Sequence, residues 1–148
     1  MNALFQLLSE QDIPSLLEMM REFYAHQGMC FDRAVAMDAV TKLLEDSRYG
    51  QIYLIFRGND LAGYFVLTFC YSLEFHGRFG LLDEVYLRET FRAQHLGKSI
   101  VAFAEELCRK NGIQALRLEV GHENVTARAL YQKTGFKEEE RNLMTKWL

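Results

Sequence analysis

A chain of 148 residues is long enough to fold as one domain with a sizeable core. Apolar residues make up 49% and charged residues 25%, the balance of a globular protein rather than a disordered one. Lys and Arg number 17 against 20 Asp and Glu, a formal charge of −3, which argues against general nucleic-acid affinity because that needs a basic face.

Ala3–Leu8 reads as a first strand. Asp12 is placed to cap a helix with Pro14 in its first turn and Ile13, Leu16, Leu17, Met20 and Phe23 on one buried face. Asp32 starts a second helix with Val35, Val40, Leu43 and Leu44 on its apolar side. Gln51–Arg57 and Leu61–Leu73 are rich in β-branched and aromatic residues, and Gly58-Asn59-Asp60 between them signals a hairpin. A turn at Phe75-His76-Gly77-Arg78 leads into a strand from Phe79 to Leu87.

The third helix, from about Gly97 to Lys110, turns Ile100, Val101, Phe103, Ala104, Leu107 and Cys108 inward, and Asn111-Gly112 ends it. Ile113–Val120 is a buried strand. Asn124 begins a fourth helix that Gly135 closes, and Phe136–Arg141 and Leu143–Leu148 follow as strands. The order β-α-α-β-β-β-α-β-α-β-β describes one mixed α/β domain, residues 1–148, whose central β-α-β unit requires parallel neighbours.

The first residues lack a basic segment followed by an apolar one, so no secretory signal is expected. The apolar stretch around Leu61–Leu73 is too short to cross a bilayer. Cys30, Cys70 and Cys108 are odd in number and widely spaced, which predicts buried free thiols rather than a disulfide or a metal site. A cytoplasmic protein without nucleic-acid or membrane partners is the expectation.

Two stretches carry chemistry. In Arg92-Ala93-Gln94-His95-Leu96-Gly97-Lys98-Ser99 a strand turns through a small-residue loop into a helix. Such a helix start leaves N–H groups without intrahelical partners, at the positive end of the dipole, where a phosphate or pyrophosphate suits them. The second stretch is Asn124 followed by Ala127, Ala129-Leu130-Tyr131 and Gly135-Phe136. Asn124 suits a helix cap, and Tyr131 lies two turns along nearly the same face, so both can line one groove above the parallel strands. A nucleotide-binding P-loop ending in Gly97-Lys98-Ser99 fails, because Arg92 stands where its first Gly must be.

Together the two stretches resemble the GNAT superfamily of N-acetyltransferases. The family's acetyl-coenzyme A motif, Arg/Gln-x-x-Gly-x-Gly/Ala, is matched by Arg92 and Gly97, with His95 at the middle Gly. Its later motif is matched by Asn124 and by Leu130-Tyr131-Gln132-Lys133-Thr134-Gly135-Phe136. The resemblance covers nearly the whole chain. It implies a mixed, mostly antiparallel sheet with one splayed parallel strand pair, flanked by four helices.

The resemblance further implies direct transfer of acetyl from acetyl-coenzyme A to a primary amine on a small molecule or peptide, with no metal. The cofactor would lie along Val85-Tyr86-Leu87, the loop from Arg92 through Ala93, Gln94, His95, Leu96, Gly97 and Lys98 to Ser99, and Asn124. Tyr131 takes the position of the general acid. For the base, Asp83, Glu84 and Glu119 stay open, as does water; Glu119 matches the base of some relatives that acetylate protein N-termini. Strand alternation would put Asp83 and Glu84 on opposite faces. His95 implies a modest change in affinity, since His is among the residues that tolerate a positive φ. Tyr24, His26, Phe31, Tyr71, Glu74 and Phe75 are candidates for the acceptor pocket. A non-catalytic acyl-coenzyme A-binding module on the same fold is the alternative, and a homodimer through Leu143–Leu148 is expected.

Overall fold

The computed structural model describes residues 3–148. Five strands lie in sequence order across one sheet: β1 (Ala3–Leu7), β2 (Gly50–Arg57), β3 (Asp60–Ser72), β4 (Gly77–Leu87) and β5 (Leu116–Leu118). The first three junctions are antiparallel, and β4 with β5 is the parallel pair that the β-α-β order demanded. Helices α1 (Ile13–His26) and α2 (Arg33–Glu45) cover one face, and α3 (Leu96–Lys110) and α4 (Val125–Lys133) lie on the other.

Each face has its own core. On the α1 side, Leu16, Leu17, Met19 and Met20 pack on Ile52, Leu54 and Tyr64. On the α3 side, Ile100, Ala104 and Cys108 pack on Ile55, Phe65, Leu67 and Leu82. Full burial of each large side chain contributes about 1.5–3 kcal/mol, so either core alone outweighs any surface ion pair.

Several expectations need correction. Asp12 does not cap α1: its carboxylate accepts from the Ser9 backbone N–H and hydroxyl at 3.0 and 2.6 Å, closing a 3-10 turn before the helix. Val35 is 67% exposed, leaving Val40 as the buried anchor of α2. Leu73 lies in a 3-10 turn after β3 and is exposed. Only Cys108 of the three free cysteines is buried; Cys70 is half-buried and Cys30 exposed.

β5 is three residues rather than the eight expected, and neither Phe136–Arg141 nor Leu143–Leu148 forms a strand. Trp147 is 93% exposed, so it packs into no core. Lys137-Glu138-Glu139-Glu140-Arg141 instead spends its charges on side-chain pairs: Glu138 with Arg128, Glu139 with Arg117, and Arg141 with Glu74. A strand has no stability without a ladder partner, whatever its composition.

Candidate active site

The length mismatch between β4 and β5 creates the site. Their pairing ends at Leu82 with Leu118, while β4 runs on to Leu87. Beyond that point β3 alone pairs with β4, and its other edge opens a gap between the parallel strands. On the α3 side of the gap lies a cavity of about 170 Å3. Val85 and Leu87 form its floor, Gly97 and Ile100 one wall, and Asn124 and Tyr131 the other. The groove anticipated for Asn124 and Tyr131 is therefore present.

Both helix ends of α4 are built to hold Tyr131. Asn124 Oδ1 accepts from the Ala127 N–H at 3.2 Å, fixing the first turn. At the other end Gly135 has φ 100°, and the Phe136 N–H reaches back to the Tyr131 carbonyl at 3.0 Å. The Gly135 N–H bonds the Gln132 carbonyl at 3.1 Å, completing a Schellman closure. Phe136 then returns its ring edge-on to Tyr131, with centroids 5.7 Å apart. The Leu-Tyr-x-x-x-Gly-Phe spacing is thus a device that locks one phenol. Burial alone pushes the Tyr131 hydroxyl above its ordinary value, so it stays protonated.

Gly97 has a different reason from the one its motif suggests. A Cβ there would stand 2.5 Å from Leu130 Cδ2, so the glycine lets α3 and α4 approach. The loop before it carries Ala93 and His95 at φ 59° and 61°. His95 thus occupies the left-handed conformation that a glycine would take without strain. Three side chains pin this loop. Arg92 Nε donates to the Leu87 carbonyl at 2.9 Å, Gln94 to the Thr90 carbonyl at 2.8 Å, and Arg57 to the Gln94 carbonyl at 3.3 Å. Leu96 is buried in the α3 core, Lys98 is exposed, and Ser99 is half-buried in the first turn of α3. Tyr86 does not face the cavity: its hydroxyl donates to Glu22 at 2.9 Å on the α1 side.

On that opposite face sits Glu84. It accepts hydrogen bonds from the Tyr24 hydroxyl at 2.6 Å and the Tyr64 hydroxyl at 2.7 Å. Burial raises its pKa, the two phenols pull the other way, and the neighbouring charge of Asp83 adds to the rise. Both tyrosines are pushed up, first by burial and then by the carboxylate, so they remain donors.

The expectation that Asp83 and Glu84 take opposite faces is wrong. Val66 pairs with Glu84 and Leu67 with Leu82, which leaves Asp83 as the extra residue of a β-bulge. Leu82 and Val85 both pack on the α3 side; Glu84 is bonded by Tyr24 and Tyr64 on the α1 side, and Asp83 stands near enough to Tyr24 and Glu84 for its charge to act on both. Asp83 is solvent-exposed, yet the protein around it still raises its pKa.

The other candidates divide. Phe31 meets Tyr24 edge-on, centroids 5.8 Å apart, beside Glu84. Glu119 is exposed one residue past β5 and does not line the cavity. His26 is exposed at the end of α1. Tyr71, Glu74 and Phe75 gather at the far end of the β3–β4 hairpin: Tyr71 is exposed, Glu74 pairs with Arg141, and Phe75 meets Phe79 edge-on. Sequence reasoning missed Tyr64. A Tyr in a strand buried this deeply needs a partner for its hydroxyl, and that requirement was the available signal.

The family model described as Acetyltransferase (GNAT) family matches residues 13–136, and the chain belongs to that family. An uncharacterized N-acetyltransferase of Bacillus subtilis (strain 168), YvbK, is 28% identical over 100 residues; the match spans 68% of this chain and 59% of that relative. An integron cassette protein from the mobile metagenome of Cole Harbour Salt Marsh superposes with a TM-score of 0.86 at 30% identity, over 97% of this chain and 90% of its own. The fold is shared as well with a predicted acetyltransferase from Clostridium acetobutylicum, solved with acetyl-CoA (TM-score 0.82, 14% identity, 98% and 96% coverage).

Proposed function

We propose that this protein is an N-acetyltransferase that moves an acetyl group from acetyl-coenzyme A to a primary amine by direct attack. The observation that carries the reading is the cavity where β4 outruns β5, with a locked Tyr131 phenol on its wall. The residues present fit the donor. The cavity is mostly apolar and admits only a slender arm, the free edge of β4 beyond Leu82 offers backbone groups, and the start of α3 offers N–H donors to a pyrophosphate. Acetyl-coenzyme A supplies the acyl group as a thioester.

The chain's own residues then divide the proton work. Tyr131 holds a proton at its hydroxyl for the leaving sulfur. Glu84, through the Tyr24 hydroxyl or a water, accepts the proton that the amine must lose. Glu84 is the best placed of the three acids because it alone is half-buried, bonded by two phenols and beside the gap, while Asp83 and Glu119 are exposed; Asp83 adds negative charge that favours a cationic amine. The free cysteines support a reducing, cytoplasmic setting. Exposed Leu143, Met144 and Trp147 support pairing with a second copy, which light scattering would expose as twice the monomer mass.

A screen of small amines, amino acids and peptides that follows coenzyme A release tests the activity. Calorimetry should show one acetyl-coenzyme A site per chain, insensitive to EDTA. Binding with no turnover across the panel would make the protein an acyl-coenzyme A-binding module instead.

A further inference from the structure

On the acceptor face of the sheet, away from the cavity, an arginine is mounted with unusual care. Arg117 stands beside Leu81 in the β4–β5 register and points opposite to Leu116 and Leu118, which pack toward α3. Its guanidinium lies 4.8 Å from the Phe75 ring centroid and 5.7 Å from that of Phe79. Two aromatic rings fix its plane, while its donors remain accessible: the side chain is 41% exposed. Glu139 already docks a carboxylate there, at 3.1 Å. That glutamate belongs to the segment after α4, which joins no strand and is held by exposed ion pairs. Exposed pairs contribute about 0–1 kcal/mol each. Glu139 Oε2 also accepts from Arg141, at 2.8 Å, so an incoming carboxylate takes one of its two guanidinium partners and leaves it the other, at little cost.

The same face carries Asp83 and Glu84 two to three residues along β4 from Leu81. Since the Arg117 guanidinium leans toward Phe79, the separation along the strand is roughly 7–17 Å at ~3.3 Å per residue. The face thus presents carboxylates at the reacting end and a guanidinium at the other. We infer that the acceptor bears a carboxylate as well as an amine, that the carboxylate binds Arg117 in place of Glu139, and that Glu139 occupies the position when no acceptor is bound. Short peptides with a free C-terminus and long ω-amino acids share this chemistry. The inference rests on the acetyltransferase reading above and adds the acceptor class to it.

The test uses matched acceptors: ω-amino acids and di- to tetrapeptides, each compared with its own C-terminal carboxamide. The intact protein should favour the acid over the amide by about two- to five-fold in kcat/KM, the scale of one partly exposed ion pair. Arg117→Gln should bring that ratio to about one, and Arg117→Lys should retain part of it. Glu139→Gln removes the internal competitor and should lower KM for the acid more than for the amide. The arm with the larger ratio, peptide or ω-amino acid, identifies the source of the carboxylate. Equal use of acid and amide by the intact protein would overturn the inference, as would a preference that survives Arg117→Gln. If no acceptor turns over, the acetyltransferase reading fails separately, and calorimetric titration of the same pairs decides this one. Tighter binding of the acids would uphold it, and equal affinities would overturn it.

Discussion

The two sides of the β4–β5 gap hold their ionisable groups in opposite ways. On the α3 side, Tyr131 stands in a mostly apolar cavity, raised by burial and by nothing else. On the α1 side, Glu84 is half-buried, but two phenols saturate it and a second carboxylate stands next to it. Burial moves both pKa values upward, with contrary consequences. It keeps a phenol protonated and ready to give its proton. It brings a carboxylate nearer to neutrality, where it takes a proton more readily while the phenols keep it from being neutralised altogether. One physical cause thus yields an acid on one face and a base on the other.

Removing the acid breaks this comparison most severely. Tyr131→Phe keeps the ring against Phe136 and should lower turnover by ~10²–10⁴-fold while acetyl-coenzyme A affinity changes little. Full turnover, with chemistry shown to limit the rate, would remove Tyr131 from the role. Glu84→Gln should cost less, on the order of 10²-fold, and should abolish the rise of kcat with pH through the raised carboxyl pKa. The same substitution in Asp83 or Glu119 should leave that rise in place.

The folded protein also registers Glu84 without turnover. Its pKa is raised above the ordinary 4.5, so between the two values the folded state binds more protons than the unfolded one. This contribution to stability is complete at low pH and is lost as pH rises through the folded pKa. Glu84→Gln does not titrate, so the stability difference between wild type and variant should shift against the wild type across that window. A pH-independent difference, measured by urea unfolding, would contradict the assignment.

How much of this the sequence disclosed follows from which interactions are local. The caps at Asp32 and Asn124, the hairpin at Gly58 and the closure at Gly135 are written in a few adjacent residues, and each was readable. The groove followed from the seven-residue spacing between Asn124 and Tyr131, which puts both on one face of α4. The bulge at Asp83 was not readable, because it exists only in the register between β3 and β4 and leaves no mark on composition. The brevity of β5 and the missing strands after Phe136 depend on which neighbour offers a ladder. Arg117 belongs to no motif, and only the fold brings Phe75 and Phe79 beside it.

A smaller effect sharpens the α3 side. Gly97→Ala forces its Cβ against the terminal methyl of Leu130, a strain that the helix propensity of Ala offsets in part, so the net cost should be about 1 kcal/mol or less, with weaker acetyl-coenzyme A binding because α4 carries Tyr131 and Asn124. Leu130→Ala in that background should recover part of the loss, since it vacates the clashing atoms. Gly58→Ala, where the strain is one of positive φ, should disturb stability by about 1 kcal/mol and spare the cofactor. Failure of the second-site rescue would return Gly97 to the loop's own conformation.

The smallest effect concerns the loop that leads into α3. His95 and Ala93 both sit near φ 60°, which costs an L-residue roughly 1–2 kcal/mol. Glycine removes that strain but adds freedom to the unfolded chain, worth about 0.5–1 kcal/mol in the other direction. The net gain from His95→Gly should therefore be a few tenths of a kcal/mol, and His, which tolerates this region better than Ala, should gain less than Ala93→Gly. Thermal unfolding of the two single variants, read as a shift of about 1–3 °C, separates them. A loss of stability in His95→Gly would mean that the imidazole makes a contact the loop depends on. A gain accompanied by tighter acetyl-coenzyme A binding would instead mean that this chain carries a strained loop where glycine would serve the cofactor better.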